Sequence, residues 1–233
     1  MTAVLGAVGR PTEQTGEEEY LDDIISTLEQ EGIRALEQFQ AKGQVADIDT
    51  AIEKLVHALE LTPDGHPNKP GRLSNLGISH RTRFERLGEM ADIDKAIGNF
   101  EQCATSIAGP PIVRFRAARK WITALRRKNP FVAFYAPDLR PQRTLIKLIP
   151  ELVWLGAPIH QRFETIQDVV GSSIHEAVSA AIRAQELELA VEWMEQGRSI
   201  LWGPASSAAL AVGRTTERPP RPCSGVPRCT TND

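Results

Sequence analysis

The side chains with the widest chemical reach are few and scattered along the chain. The five histidines are His57, His66, His80, His160 and His175. None has a second histidine four residues on, the spacing that sets two imidazoles on one helix face for a metal. Of the three cysteines, Cys103 occupies a small-residue slot on an apolar helical stripe, where a thiol acts as a small hydrophobe. Cys223 and Cys229 have neither C-x-x-C spacing nor a neighbouring histidine, and a structural zinc needs four ligands. The glycines are dispersed as helix stops and build no phosphate-cradling loop. Glu17, Glu18 and Glu19 read as a solvated first turn. With no acid–base or nucleophile constellation, the expectation is a non-enzymatic protein with no catalytic residue, no cofactor and no metal.

One stretch is strongly basic: Arg72, Arg81, Arg83 and Arg86 fall within a single helical segment. With Glu85 and Glu89 beside them, they read first as a solvated face, since surface charges alone reveal little. The functional alternative is a groove that meets an acidic peptide. The chain as a whole carries net charge −3 and has a pI near 6.0, which gives no general attraction to nucleic acid or anionic membranes. The odd cysteine count, the lack of a cationic apolar leader and the lack of any apolar run of membrane-spanning length predict a reduced, cytoplasmic protein.

The elements that must position these residues come from an internal repeat. Residues 43–52, GQVADIDTAI, match residues 88–97, GEMADIDKAI, at an offset of 45 residues. At the same offset Phe39 falls on Phe84 and Gly32 on Gly77. Each copy predicts a helix closed by Phe-x-x-x-Gly, glycine taking the left-handed conformation that ends it. Asp47 and Asp92 are placed as N-caps of the second helices, with Asp49 and Asp94 in their first turns. The second helix of the first copy carries Ile48, Ala51, Ile52, Leu55, Ala58 and Leu59. Its counterpart carries Ile93, Ala96, Ile97, Phe100, Cys103 and Ile107. Both are stripes at helical spacing. Three prolines and a glycine between Pro63 and Pro70 force a loop between the copies.

Small residues set how closely such helices pack. Ala51 and Ala58 flank Leu55, Ala96 and Cys103 flank Phe100, and Ala190 and Gly197 flank Met194, each with steps of four and three. Further helices are predicted from Pro110 to about Arg127, from Arg143 to Leu155 with Pro150 kinking it, and from Pro158 to Val170. A last pair follows, its first helix lined by Ile174, Ala177, Val178, Ala181 and Ala184, its second by Leu189, Ala190, Trp193, Met194 and Ile200. Residues 131–141 read as an irregular, partly buried linker. From Gly203 the composition turns proline-rich and poor in apolar residues, which predicts a disordered tail over 203–233. Residues 1–19 are likewise expected to be disordered, with two helical hairpins over 20–108 and further helices over 110–202.

Leu73-x-x-Leu76-Gly77-x-x-His80 resembles the first-helix motif of the tetratricopeptide (TPR) repeat, with Leu73 for the usual tryptophan and His80 for the usual tyrosine. Ala51-x-x-x-Leu55-x-x-Ala58 followed by Pro63 resembles the second-helix motif with its closing proline. From His80 to Ala96 is sixteen residues where the TPR pattern has nine, so the hairpin is lengthened by two turns. The strings Leu-Thr-Pro-Asp-Gly-His-Pro at 61–67 and Thr-Arg-Phe-Glu-Arg-Leu-Gly at 82–88 are similar to the expanded TPR arrays of fungal CHAT-domain proteins. Residues 190–202 resemble the segment joining such an array to the CHAT domain. The resemblance spans about residues 30–202 and breaks at Trp202–Gly203. That break is the mark expected of a shortened gene product or an altered reading frame.

The resemblance implies an all-α, TPR-like α-solenoid of antiparallel helix pairs with a disordered C-terminal tail. It implies a scaffold for an unidentified protein or peptide, or, alternatively, the regulatory segment of a caspase-like CHAT protease lacking its catalytic domain. First helices line the concave face of TPR arrays. Carried onto this chain, that face comprises Ser74, Ile78 and Arg81, with Glu29, Ile33 and Leu36 45 residues earlier. These do not form the lysine–asparagine clamp that binds chaperone C-termini. Two and a half repeats lie near the lower limit for stable stacking, so self-association through exposed ends of the array is also expected.

Overall fold

The computed structural model describes residues 11–153 and 171–212. Among these residues there are nine helices and no strand, so the fold is all-α. The helices are α1 (Pro11–Lys42), α2 (Val45–Glu60), α3 (Lys69–Leu87), α4 (Met90–Thr105), α5 (Pro111–Lys128), α6 (Pro130–Tyr135), α7 (Arg140–Val153), α8 (Ser172–Arg183) and α9 (Leu187–Val212). Each packs chiefly on its neighbours in sequence. The closest pairs are α1 with α2 and α3 with α4, followed by α4 with α5, α5 with α7, and α8 with α9.

The two copies of the repeat make the two closest pairs. Gly43 and Gly88 end the first helices at φ +72° and +75°. Their amides donate to the Phe39 and Phe84 carbonyls at 2.7 and 2.8 Å. The left-handed conformation, cheap only for glycine, reverses the chain within two residues. The second helices therefore begin at once. Their N-caps are Gln44 and Glu89, not Asp47 and Asp92, which sit in the first turn where their charge faces the positive helix end.

Close approach within each pair rests on a glycine facing a large apolar side chain. A Cβ on Gly32 would lie 2.8 Å from Leu55 Cγ, and one on Gly77 2.7 Å from Phe100 Cε1. Ala51, Leu55 and Ala58, and Ala96, Phe100 and Cys103, are all buried. The third small–large–small set differs. Met194 is 51% exposed, and the buried edge of α9 is Leu189, Ala190 and Trp193. Gly197 meets Ile174 of α8, so α9 presents the edge that leads with Trp193. Ile107 also leaves the predicted stripe, because α4 stops at Thr105 and Ala104 takes the last buried position.

The 45-residue period runs further in burial than in residue identity. Arg72, Leu73, Leu76 and Ser79 of α3 are buried, and so are Ala117, Ala118, Trp121 and Ala124 of α5, each 45 residues later. Ala96, Phe100, Cys103 and Ala104 of α4 map in the same way onto Pro141, Leu145, Leu148 and Ile149 of α7, again all buried. In this third copy the two-residue glycine turn is replaced by α6 and its flanking loop. Residues 131–141 thus contain a short helix, and Phe131, Phe134 and Tyr135 on it are exposed. Asn129 caps α6 by accepting from the Val132 amide at 3.0 Å.

The remaining boundaries shift modestly. α1 starts at Pro11, ahead of the predicted hairpin start at residue 20, and α9 continues through Gly203 to Val212. The predicted helix over 158–170, with His160, and the cysteines at 223 and 229 lie outside the described residues.

Candidate functional site

Helix α3 is the hub, and its arginines are not a uniform solvated face. Arg72 is only 3% exposed. Its Nε donates to Glu29 of α1 at 3.1 Å and its Nη1 to the Thr62 hydroxyl at 2.9 Å. Asn75 donates to the other Glu29 oxygen at 3.0 Å. Glu29 is therefore committed to joining α1 and α3. A buried guanidinium is tolerated here because a carboxylate and a hydroxyl accept from it.

Further along α3 lies a second network. Arg83 grips Asp92 of α4 as a fork, Nε to Oδ2 at 2.8 Å and Nη2 to Oδ1 at 2.6 Å. Its Nη1 reaches back to Asp49 of α2 at 2.7 Å. His80 Nδ1 lies 3.1 Å from Asp92 Oδ1. Burial opposes ionisation of Asp92, but the hydrogen bonds from Arg83 and His80 outweigh it and hold the carboxyl below its usual range. Burial lowers His80 despite the Asp92 hydrogen bond, favouring the neutral imidazole. The carboxylate accepts from Nδ1–H, which fixes the tautomer. The network borders an open cleft of about 590 Å³ between α2, α3 and α4, with Lys95 and Asn99 on its far wall.

The sequence does not announce this network. In the first copy the counterparts of His80 and Arg83 are Ala35 and Gln38, and the counterpart of Asp92, Asp47, leaves its Oδ2 buried without a partner. The bridge between copies does recur: Arg83–Asp49 at 2.7 Å is repeated 45 residues on by Lys128–Asp94 at 2.5 Å.

The six groove residues are placed as follows. Leu36 is 8% and Ser74 6% exposed, and Glu29 is bound to Arg72 and Asn75. Ile33 is half-buried on α1. Ile78 is half-buried and packs against both apolar clusters, the one of α1 and α2 and the larger one from α3 onward. Arg81 is half-buried beside Glu85 at 3.5 Å, with its Nε lacking a hydrogen-bond partner. Ser74, Ile78 and Arg81 do share one stripe of α3, and α5 packs beside α3. Lys120 of α5 donates to the Ser74 hydroxyl at 2.9 Å. Next to Lys120, Arg116, Arg119 and Thr123 line a shallow cleft of about 260 Å³. Burial, with the charges of Arg81 and Arg116, holds the Lys120 ammonium below the ordinary lysine range. Arg116 and Arg119 are exposed and form no ion pair among the described residues. Sequence reasoning singled out the α3 side of this basic face and missed the α5 side. The signal was present in the i, i+3, i+4 set Arg116, Arg119, Lys120, which an apolar reading of α5 passed over.

Cys103 is fully buried, donates to the Pro70 carbonyl at 3.0 Å, and burial pushes its thiol up to about 11. A thiol so protonated is a poor nucleophile. Among the described residues no group of three or more His, Cys, Asp or Glu side chains is arranged to hold a metal ion, and no helix is long and apolar enough to cross a membrane. No family model, no curated protein and no solved structure matches this chain.

Proposed function

We propose that the protein is a non-catalytic scaffold of TPR type, whose α3–α5 face receives an acidic peptide segment of a partner protein. The helices form a TPR-like solenoid in this reading. Support comes from sequential pairing, from close-packing glycines at 32 and 77, and from a burial period of 45 residues that continues into α5 and α7. The observation that carries the choice of ligand is the uncompensated charge on that face. Arg116 and Arg119 are exposed and without an ion-pair partner among the described residues, beside a partly buried Lys120 and Arg81, in a chain whose net charge is negative. Acidic side chains docking there relieve the mutual repulsion of the cations, and such contacts act mainly on encounter rate and specificity.

The test is fluorescence anisotropy with a labelled Asp/Glu-rich peptide and a Lys-rich control. The acidic peptide binds with an affinity that falls as salt rises, and the double substitution Arg116→Glu, Arg119→Glu weakens it on the order of tenfold or more. Equal binding of the basic peptide, or indifference to the double substitution, removes the proposal.

A further inference from the structure

A separate cavity of about 270 Å³ lies under α6, between α5, the α6–α7 loop and the end of α8. Its walls are largely apolar, built from Ile122, Leu125, Val132 and Pro137. The polar groups that line it are mostly spent. Asn129 Oδ1 accepts from the Val132 amide, and Asp138 is held by Arg140 through Nε and Nη2. Lys128 is paired with Asp94 and Arg126 with Glu176. Arg183 donates through Nη1 to Ser179 and lies over the Phe134 ring at 5.3 Å, its Nε left over.

Among the acceptors Gln142 is the exception. It is 4% exposed, lines the cavity, and its Oε1 has no hydrogen-bond partner. A buried carbonyl oxygen left unpaired is costly. The residues 45 and 90 positions earlier, at the equivalent places of α4 and α2, are Ile97 and Ile52. The third copy thus carries an acceptor on the cavity wall, in a slot that is apolar in the other two.

We propose that this cavity is a binding site for a neutral, flat aromatic ring system that carries one N–H donor, the donor pairing with Gln142 Oε1. The size fits: an engineered apolar cavity of roughly 150 Å³ takes benzene, and this one has room for a fused bicycle. The charge fits as well, because Lys128 and Arg126 are neutralised by carboxylates and the Arg183 guanidinium already covers the Phe134 ring. Val132 and Ala133 bring α6 to this cavity, the exposed Phe134 ring lies against the lining residue Arg183, and α6 replaces the glycine turn of the other copies. The same chemistry is offered by a free indole and by a tryptophan side chain of a partner.

The experiment titrates the full chain with indole, 1-methylindole and benzofuran, by calorimetry and ligand-observed saturation-transfer NMR. Indole binds saturably and about tenfold more tightly than 1-methylindole, whose ring fits but lacks the donor. In Gln142→Leu, checked for helix content by circular dichroism, that preference disappears while 1-methylindole still binds. Ala133→Leu, which fills the cavity from α6, abolishes binding of both. N-acetyl-tryptophanamide separates the sources: affinity equal to indole assigns the site to a partner's side chain, and affinity at least about tenfold weaker assigns it to a free small molecule. Lack of saturable binding of indole to the native chain overturns the proposal. So does equal affinity for indole and 1-methylindole, or a preference for benzofuran, which offers an acceptor in place of the donor.

Discussion

Asp47 and Asp92 occupy the same place in two copies of one motif, Ala-Asp-Ile-Asp, yet their removal should have very different consequences. Asp92 is 1% exposed and takes two hydrogen bonds from Arg83 and one from His80. Substituting Asp92→Ala strands a guanidinium and a buried imidazole together. Breaking a buried pair by deleting one partner costs about 3–5 kcal/mol. Arg83 keeps Asp49 and its side chain is 19% exposed, so the low end applies, about 3 kcal/mol. For a chain of this size that is a fall in Tm of roughly 6–12 °C. Asp47 has an unpartnered, buried Oδ2 and only its place at the helix start in its favour. That place is worth about 0.3–1 kcal/mol, offset by relief of the carboxylate's desolvation. Asp47→Ala should therefore change stability by no more than about 0.5 kcal/mol. Urea unfolding followed by circular dichroism, with both variants in parallel, measures the contrast. Equal losses for the two would show that the sequence motif, and not the Arg83–His80 partnership, gives these aspartates their value.

Gly77→Ala drives a methyl into Phe100 and should cost about 1–3 kcal/mol by urea unfolding, recovered in part by Phe100→Leu. Gly98→Ala, in α4 with open space around the new Cβ, should instead stabilise by up to about 1 kcal/mol in the same assay. His80 is lowered by burial and Asp92 by its partners, so both bind protons more readily unfolded than folded. Stability should be full above the ordinary histidine range near 6.5, decline as pH falls below it, and decline again in the carboxylate range. In His80→Gln the first of these declines in Tm between pH 7 and 5 should flatten. Cys103 should resist iodoacetamide in the native protein and label once urea is added, read by mass spectrometry of its peptide.

The two obvious copies were legible because their turn chemistry repeats at the positions that set it, Phe-x-x-x-Gly and Ala-Asp-Ile-Asp. Gly43 and Gly88 end helices at positive φ, and Phe-x-x-x-Gly followed by Ala-Asp-Ile-Asp states that geometry locally. The third copy was not legible, because only its burial pattern survives. Leu76 becomes Trp121, Gly77 becomes Ile122, and α6 interrupts the turn. Packing volume can be conserved while identity is lost, since cores accept different side chains of suitable total size. The caps were misread because Gly stops the first helix so abruptly that Gln44 and Glu89 already start the next. The His80–Arg83–Asp92 network needed three dimensions, since its members sit on two helices and its histidine and arginine have no counterpart in the first copy. The basic face was half legible. Ser74, Ile78 and Arg81 share a stripe by helical spacing alone, but the α5 cations reach them only through α3–α5 packing.

The replacement of a two-residue turn by α6 divides the connections of this chain into two mechanical kinds. At Gly43–Gln44 and Gly88–Glu89 no slack exists, so an added residue must unwind a helix end. Between α5 and α7 the chain spends eleven residues, 129–139, on a detour whose side chains are mostly in water. New termini or an inserted reporter domain belong there: a chain opened between α6 and α7 leaves α1 with α2, α3 with α4 and α8 with α9 each on one continuous segment, whereas one opened at either glycine turn splits one of the two closest pairs.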